Sequence, residues 1–293
     1  MIVIPGPASQ ELGKKVASLI RAKTVSVIFK KFPDGESYIR LDGDVKGEKA
    51  AIIQTTSPPQ DTNLMQLFLV IDTAKNLGAK DMVAVVPYFA YARQDKRFLP
   101  GEAVSVETFI KLLEASEVSR FLTVNIHEES VLERFHVPAE SLSAMTLLAQ
   151  HFRRMGLTRV FSLAPDQGAL RHVEEADKVL HGGHGWLRKE RDRLTGEISV
   201  EEKRFEIRGK DVIIFDDIIS TGGTIAAAAR ILKEQGAKRV YAACAHPLLV
   251  GEAQKKILQS GAEGIVGTDC VPSPVSLVSV APLIADALTR RGA

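Results

Sequence analysis

Between residues 50 and 86, short unbroken apolar runs alternate with a stretch whose apolar residues recur every three or four positions. Ala50–Thr55 (AAIIQT) is one such run, closed by the turn formers Ser57-Pro58-Pro59. Leu64, Leu67, Phe68, Ile71 and Ala74 then share one face of a helix that stops at Gly78, and Met82–Val86 is the next run. Strand, helix and strand joined by short connections predict a parallel α/β sheet.

The pattern returns in the second half. Asp211–Phe215 (DVIIF) predicts a strand, Thr224–Gln235 a helix with Ile225, Ala228, Ala229 and Leu232 inward, and Val240–Cys244 the following strand. Gly236-Ala237-Lys238 closes this helix as Gly78-Ala79-Lys80 closes the earlier one. Laying the two triplets together sets Pro58-Pro59 opposite Asp216-Asp217, and Asp61-Thr62-Asn63 opposite Ile219-Ser220-Thr221. We expect two tandem α/β domains of similar topology, each a mainly parallel sheet flanked by helices. They cover residues 1–144 and 145–293, with the division near Leu142–Thr146. The stretch from His181 to Glu197 has no clean period and reads as a mobile loop, its alternating charges around Lys189 and Arg191 as a solvated face.

Of 293 residues, 45% are hydrophobic and 25% charged, which suits a folded chain with a sizeable core and excludes a disordered one. Lys plus Arg (38) nearly cancels Asp plus Glu (36), and no basic block stands out, so no nucleic-acid partner is expected. Cys244 and Cys270 belong to no Cys-x-x-Cys or Cys/His cluster, and read as buried thiols of a reducing compartment. MIVIPGPAS lacks the features of a signal peptide, and Met82–Ala92, which contains Pro87, is too short to span a bilayer. The expectation is a cytoplasmic protein with no membrane association.

Candidate chemistry concentrates in Val212–Ile225, VIIFDDIISTGGTI, where an apolar strand runs into two carboxylates, a short polar loop and a helix. Ligands of open α/β sheets bind beyond the carboxyl ends of the strands, where this loop must lie. Gly222 and Gly223 permit close backbone approach, and Ser220, Thr221 and Thr224 add hydroxyls at the positive end of the helix dipole, a setting for a phosphate dianion. Asp216 and Asp217 repel phosphate, so they must face hydroxyls or a cation; together the two ends describe a sugar phosphate. The pattern is neither a Walker loop nor a dinucleotide-binding GxGxxG. Elsewhere, His127 ends the apolar run Phe121–Ile126 and Asp166 follows Val160–Ala164, so both belong at strand C-termini.

VIIFDDIISTGGT resembles the ribose-phosphate-binding signature of the type I phosphoribosyltransferases and of their relatives, the ribose-phosphate pyrophosphokinases. Four more segments favour the pyrophosphokinases. Phe32-Pro33-Asp34-Gly35-Glu36 is similar to their adenine-nucleotide loop, and Tyr91-Ala92-Arg93-Gln94-Asp95-Lys96 to a second ATP-contacting segment. Ala164-Pro165-Asp166-Gln167-Gly168 resembles their pyrophosphate-region loop, and Lys189-Glu190-Arg191 their flexible catalytic loop. The likeness runs in order along nearly the whole chain.

The resemblance implies Mg²⁺-dependent transfer of the pyrophosphoryl group of ATP to ribose 5-phosphate, giving phosphoribosyl pyrophosphate and AMP for nucleotide biosynthesis. It implies Lys189 and Arg191 as the catalytic clamp, with Arg191 also on ribose 5-phosphate beside Asp216, Asp217, Ser220, Thr221, Gly222, Gly223 and Thr224. ATP falls to Phe32, Asp34, Gly35, Glu36, Arg93 and Gln94, and Mg²⁺ to His127 and Asp166. The Phe32 loop is lent by a neighbouring subunit in this family, so a homo-oligomer is implied. On the residues alone, the loop fits either a Phe32 that stacks on a purine, with Asp34 and Glu36 as acceptors, or an ordinary Pro-Asp-Gly turn with a core Phe; Arg93 fits either a phosphate partner or a surface salt bridge. The chain departs from the family at Asn125 and at Ser220, where an Asp is common in each case. Two other readings use the same pocket: a phosphoribosyltransferase acting on a nucleobase, and an inactive regulatory paralogue that binds phosphoribosyl pyrophosphate. The ATP-like segments count against the first. The presence of Lys189, Arg191, Asp216, Asp217, His127 and Asp166 counts against the second.

Overall fold

The computed structural model describes residues 1–191, 198–201 and 204–290, with the backbone alone for 188–191 and 198–201. It divides into two compact units, Met1–Ser143 with Ser279–Ala293, and Ala144–Val278. Among the described residues no helix is long and apolar enough to cross a membrane.

The first unit runs β1 (Ile2–Pro5), α1 (Gln10–Leu19), β2 (Lys23–Thr24), β3 (Ser26–Lys31), β4 (Ser37–Asp42) and β5 (Lys49–Ile53). It continues through α2 (Gln60–Asn76), β6 (Asp81–Val86), α3 (Ser105–Ala115), β7 (Arg120–Val124) and β8 (Ala139–Leu142). Six strands form one sheet in the order β2-β1-β5-β6-β7-β8, every neighbouring pair parallel. A parallel sheet covered on both faces needs unbroken apolar strands rather than alternation. Ala50–Ile53 are accordingly all inaccessible to solvent, and Met82–Val86 nearly so. The expected face of α2 is buried at Leu64, Leu67, Ile71 and Ala74, with Phe68 partly covered.

The second unit runs α4 (Met145–Arg154), β9 (Val160–Ala164), α5 (Leu170–Leu180), β10 (His181–Trp186), β11 (Arg188–Arg191) and β12 (Ile198–Glu201). Then follow β13 (Asp211–Ile219), α6 (Gly223–Glu234), β14 (Arg239–Pro247), α7 (Ala253–Gln259), β15 (Gly264–Thr268) and β16 (Ser276–Val278). Its sheet, β10-β9-β13-β14-β15-β16, is again wholly parallel. Strand for strand it has the order of the first sheet. Each unit also inserts an antiparallel hairpin at the same place, β3–β4 in one and β11–β12 in the other.

The repeat is deeper than the Gly-Ala-Lys triplets suggest, and its alignment differs. Gly47 N donates to Gly78 O at 2.8 Å and Lys80 N to Glu48 O at 2.9 Å; Gly209 N donates to Gly236 O and Lys238 N to Lys210 O, both at 2.8 Å. The first register pair of the next two strands is an ion pair in both units, Lys49–Asp81 and Asp211–Arg239, each at 2.7 Å with the charges exchanged. Lys49 thus stands where Asp211 does, and Gln54-Thr55, not Pro58-Pro59, hold the place of Asp216-Asp217. The difference is about one helical turn. α2, with 17 residues against 12 in α6, absorbs it.

Two expectations change. The last helix, α8 (Ala281–Thr289), belongs to the first unit rather than extending the second to residue 293. It packs on α1 as α4 packs on α5, buries Ala281, Ile284, Ala285, Ala287 and Leu288, and is fastened by Arg120 Nη1 donating to Ala287 O at 3.0 Å. A helix distant in sequence thus holds, against α1, the place that α4 holds against α5. The stretch from His181 is no loose loop either. His181 ends α5 at φ 55°, and the chain continues as β10 parallel to β9. Gly182 is required by close approach, since a Cβ there would stand 2.1 Å from Val160 O. The Asp177 carboxylate accepts from Gly182 N and Gly183 N and meets His184 Nδ1 at 2.9 Å. Residues 192–197 lie outside the described residues.

The Asp211–Arg239 pair is bidentate, Nε–Oδ1 at 2.8 Å and Nη2–Oδ2 at 2.7 Å. The Arg239 guanidinium holds the Asp211 carboxyl below its ordinary 3.8 despite partial burial. A depressed carboxylate stabilises the fold above its unfolded pKa and loses that contribution as pH falls through the folded one. We predict that Asp211→Asn costs about 1 kcal/mol in urea unfolding at pH 7. The gap to the parent protein should close as the pH is taken well below 3.8. A gap that persists in acid would assign the loss to packing instead.

Candidate active site

β13 lies inside the second sheet between β9 and β14, and Val212–Phe215 are wholly buried. The strand runs on to Ile219, so the acidic pair lies within it rather than after it. Asp217 and Ile219 are buried, while Asp216 and Ile218 are half-buried. Asp216 Oδ1 accepts from Asp217 N at 3.0 Å, and Asp217 Oδ1 from Ile218 N at 2.8 Å. Burial raises the Asp216 carboxyl well above the usual carboxylate range, and the negative charges of Asp217 and Asp166 raise it further. Burial and the same Asp216 also push up the thiol of Cys244, its register partner on β14. Among the described residues no lysine, arginine or histidine forms an ion pair with Asp216. Asp166, just past β9, accepts from Gly168 N at 2.9 Å through Oδ1. Three carboxylates therefore gather at the ends of two neighbouring strands.

The Ser220–Thr224 loop turns from β13 into α6. Gly222 takes φ 72°, caps the helix, and accepts from Ala226 N at 2.9 Å. A side chain there would be strained by the left-handed backbone, and its Cβ would crowd Ile257 Cδ1 at 3.0 Å and Ala253 O at 3.1 Å. Thr221 is exposed, and Ser220, Gly223 and Thr224 are half-buried. The leading N–H groups of a 12-residue helix, with the positive end of its dipole, open onto these hydroxyls. The packing partners of Gly222, Ala253 and Ile257 on α7, carry no local sequence signal; only a helix returning from β14 reveals them.

Lys189 and Arg191 lie on β11, opposite Val200 and Ile198 of β12, and their side chains lie outside what the structure describes. In the first unit, Phe32, Asp34, Gly35 and Glu36 form the tip of the β3–β4 hairpin. Phe32 N donates to Glu36 O at 2.8 Å, Gly35 N to Phe32 O at 2.9 Å, and Glu36 N to Asp34 Oδ1 at 3.2 Å. The turn is the expected one, but Phe32 is not a core residue. It is 40% exposed, stands edge-on to Tyr38, and has Lys30 Nζ 5.3 Å from its ring centre. Arg93 is exposed and forms no salt bridge among the described residues, contrary to the surface-pair reading. Gln94 closes a turn by donating to Tyr91 O at 3.1 Å. Tyr91 itself has φ 65°, lies on Phe109 with ring centres 4.7 Å apart, and donates its hydroxyl to Asp61 on α2. The same helix meets the hairpin through Gln66 and Ser37, so α2 supports both ATP-like segments. His127 is exposed beyond β7. The backbone before it is pinned by Asn125 N on Leu142 O at 2.9 Å and Ile126 N on Ser141 Oγ at 3.0 Å. Asn125 sits at φ 39°, a left-handed conformation that Asn tolerates better than most residues.

Comparison with known proteins agrees with this arrangement over the whole length. Residues 1–116 match the model of the N-terminal domain of ribose phosphate pyrophosphokinase, and residues 133–263 that of the phosphoribosyl transferase domain. The ribose-phosphate pyrophosphokinase of Methanothermobacter thermautotrophicus is 43% identical over 98% of this chain and 99% of its own. That of Methanosarcina acetivorans is 40% identical over 99% and 100%. The crystal structure of phosphoribosylpyrophosphate synthetase from Mycobacterium smegmatis superposes with a TM-score of 0.86, at 29% identity over 98% of this chain and 97% of that one. With both domain models matched in order and the relatives aligned end to end, the chain belongs to the ribose-phosphate pyrophosphokinase family, a family of transferases.

Proposed function

We propose that the protein transfers the pyrophosphoryl group of Mg·ATP to the anomeric hydroxyl of ribose 5-phosphate, releasing phosphoribosyl pyrophosphate and AMP. The observation that carries this reading is the juxtaposition, within one unit, of the Asp216-Asp217 pair and the Ser220–Thr224 loop at the start of α6. An anionic 5-phosphate suits the helix end, and ribose hydroxyls suit carboxylate acceptors. The anomeric oxygen attacks the β-phosphorus as the bond from that phosphorus to the α,β-bridging oxygen breaks, and AMP departs. Such chemistry depends on positioning and on neutralising the charge of the transferred group. Lys189 and Arg191 are the residues we assign to that neutralisation, and Phe32, Asp34, Gly35, Glu36, Arg93 and Gln94 those we assign to ATP. Exposure of Phe32 and of Arg93 without an ion pair supports the latter assignment, since both remain available to a ligand.

The residues present fit Mg²⁺. Oxygen donors are its preferred ligands, and a divalent cation relieves the crowding of Asp216, whose carboxyl is raised first by burial and then by the charges of Asp217 and Asp166. Asp166 would hold it in this unit, and when bound it neutralises charge on the nucleotide phosphates; His127, in the first unit, is assigned to the metal on the family resemblance. A homo-oligomer that lends the Phe32 hairpin to a neighbouring site, and a cytoplasmic location, belong to the same proposal.

Incubation with Mg²⁺, ATP and ribose 5-phosphate should give AMP that depends on ribose 5-phosphate and matches phosphoribosyl pyrophosphate mole for mole, on chromatographic separation of the nucleotides. ADP in its place would mean an ordinary kinase. Lys189→Ala should slow turnover on the order of 10² to 10³-fold while ribose 5-phosphate affinity stays nearly intact. Near-parental turnover in that variant would sink the assignment of the β11 residues. Asp216→Asn and Asp217→Asn should weaken ribose 5-phosphate more than ATP in calorimetric titrations; equal losses would refute the division of labour.

A further inference from the structure

Helix α7 is held against the Ser220–Thr224 loop at several points. Leu249 N donates to Ile219 O and Val250 N to Ser220 O, both at 3.0 Å, and Ile257 and Ala253 fill the space beside Gly222. The turn that makes these bonds carries Leu249 at φ 45° and Gly251 at φ 61°, so its backbone is committed to the clasp. Next to Ile257 on this helix is Lys256, whose Nζ lies 3.5 Å from where a Cβ on Gly223 would be. Gly223 is the first residue of α6.

Lys256 is exposed and pairs with no carboxylate among the described residues, while its neighbour Lys255 binds Glu252 at 2.9 Å. An ammonium at the first turn of a helix meets the positive end of the dipole, which is unfavourable while nothing lies between them. An anion at the helix end reverses the sign of that interaction. Backbone N–H groups orient a phosphate but carry only partial charge, and Asp216 and Asp217 on the adjoining strand add negative charge nearby. The loop itself, Ser220–Thr224, contributes no full positive charge. The missing side chain of Gly223 leaves the ammonium open access to the helix end.

We propose that Lys256 is a phosphate-binding residue of this site, its ammonium contacting the 5-phosphate of the sugar held at the first turn of α6. The inference rests on the assignment of the loop to ribose 5-phosphate, and the experiment separates the two. Ribose 5-phosphate and Mg·ATP are titrated separately, by calorimetry, into the parent protein, Lys256→Ala and Lys256→Arg, and the thermal melting of each ligand-free protein is recorded. Loss of a charge-assisted hydrogen bond should weaken ribose 5-phosphate about tenfold in Lys256→Ala, with Lys256→Arg restoring most of it. Mg·ATP affinity should stay within about twofold, the scatter expected for a site that loses no contact. Ligand-free Lys256→Ala should melt no lower than the parent, because it removes a cation from a helix N-terminus. Unchanged ribose 5-phosphate affinity in Lys256→Ala overturns the proposal, and so does equal weakening of both ligands with a lowered melting temperature, which marks a structural role. A parent protein that binds Mg·ATP but not ribose 5-phosphate overturns the loop assignment itself, and the role of Lys256 with it.

Discussion

A parallel sheet covered on both faces satisfies its backbone groups sideways and buries every side chain of its central strands, so polar chemistry can gather only where the strands end. In both units the central strands are continuous apolar runs, and Ala50–Ile53 and Val212–Phe215 have no solvent exposure at all. The carboxylates of the second unit obey the same constraint. Asp216 and Asp217 stand in the C-terminal half of β13, after the wholly buried Val212–Phe215, and Asp166 stands just past β9. The three carboxylates meet because the ends of β9 and β13 are neighbours.

The two units show what a shared frame does and does not impose. The clasps before β5 and β13 are the same, and so is the opening ion pair with its charges exchanged. Past the buried segment they diverge. Gln54 accepts from Ala8 N at 2.9 Å, Thr55 N donates to Ser9 Oγ at 2.8 Å, and Thr56 Oγ1 donates to Tyr88 O at 2.7 Å, so these polar groups serve the first unit itself. The corresponding Asp216 is left half-buried, its carboxyl raised by burial and further by Asp217 and Asp166. Hydrogen bonds spent internally make a scaffold; groups left in mutual repulsion at a strand end make a place for a cation or a hydroxyl-rich ligand.

Position on α2 gives the first unit its own polar surface. Asp61 holds Tyr91 and Gln66 meets Ser37, so one helix steadies the hairpin tip and the turn that carries Arg93. Phe32 remains exposed at that tip although a phenylalanine in a folded chain usually seeks the core. Its neighbours explain how it stays soluble: Lys30 lies over both Phe32 and Tyr38, so the aromatic edge is covered by a charged side chain.

Features that depend on local pattern were legible along the chain. Apolar runs named the central strands and the helical face of α2, and the acidic residues with the glycine loop that follows them were legible beside them. The sequence could not determine what depends on distant segments meeting. Aligning the repeat on Gly-Ala-Lys missed the extra turn of α2, because a triplet that closes a helix says nothing of where the helix began. The glycines after His181 look flexible in sequence, yet Gly182 is there because Val160 O leaves no room for a side chain. Nor does any local signal say that α8 returns to α1, or that α7 packs on Gly222. Local propensity is written along the chain, whereas close approach and electrostatic crowding exist only between residues that folding brings together.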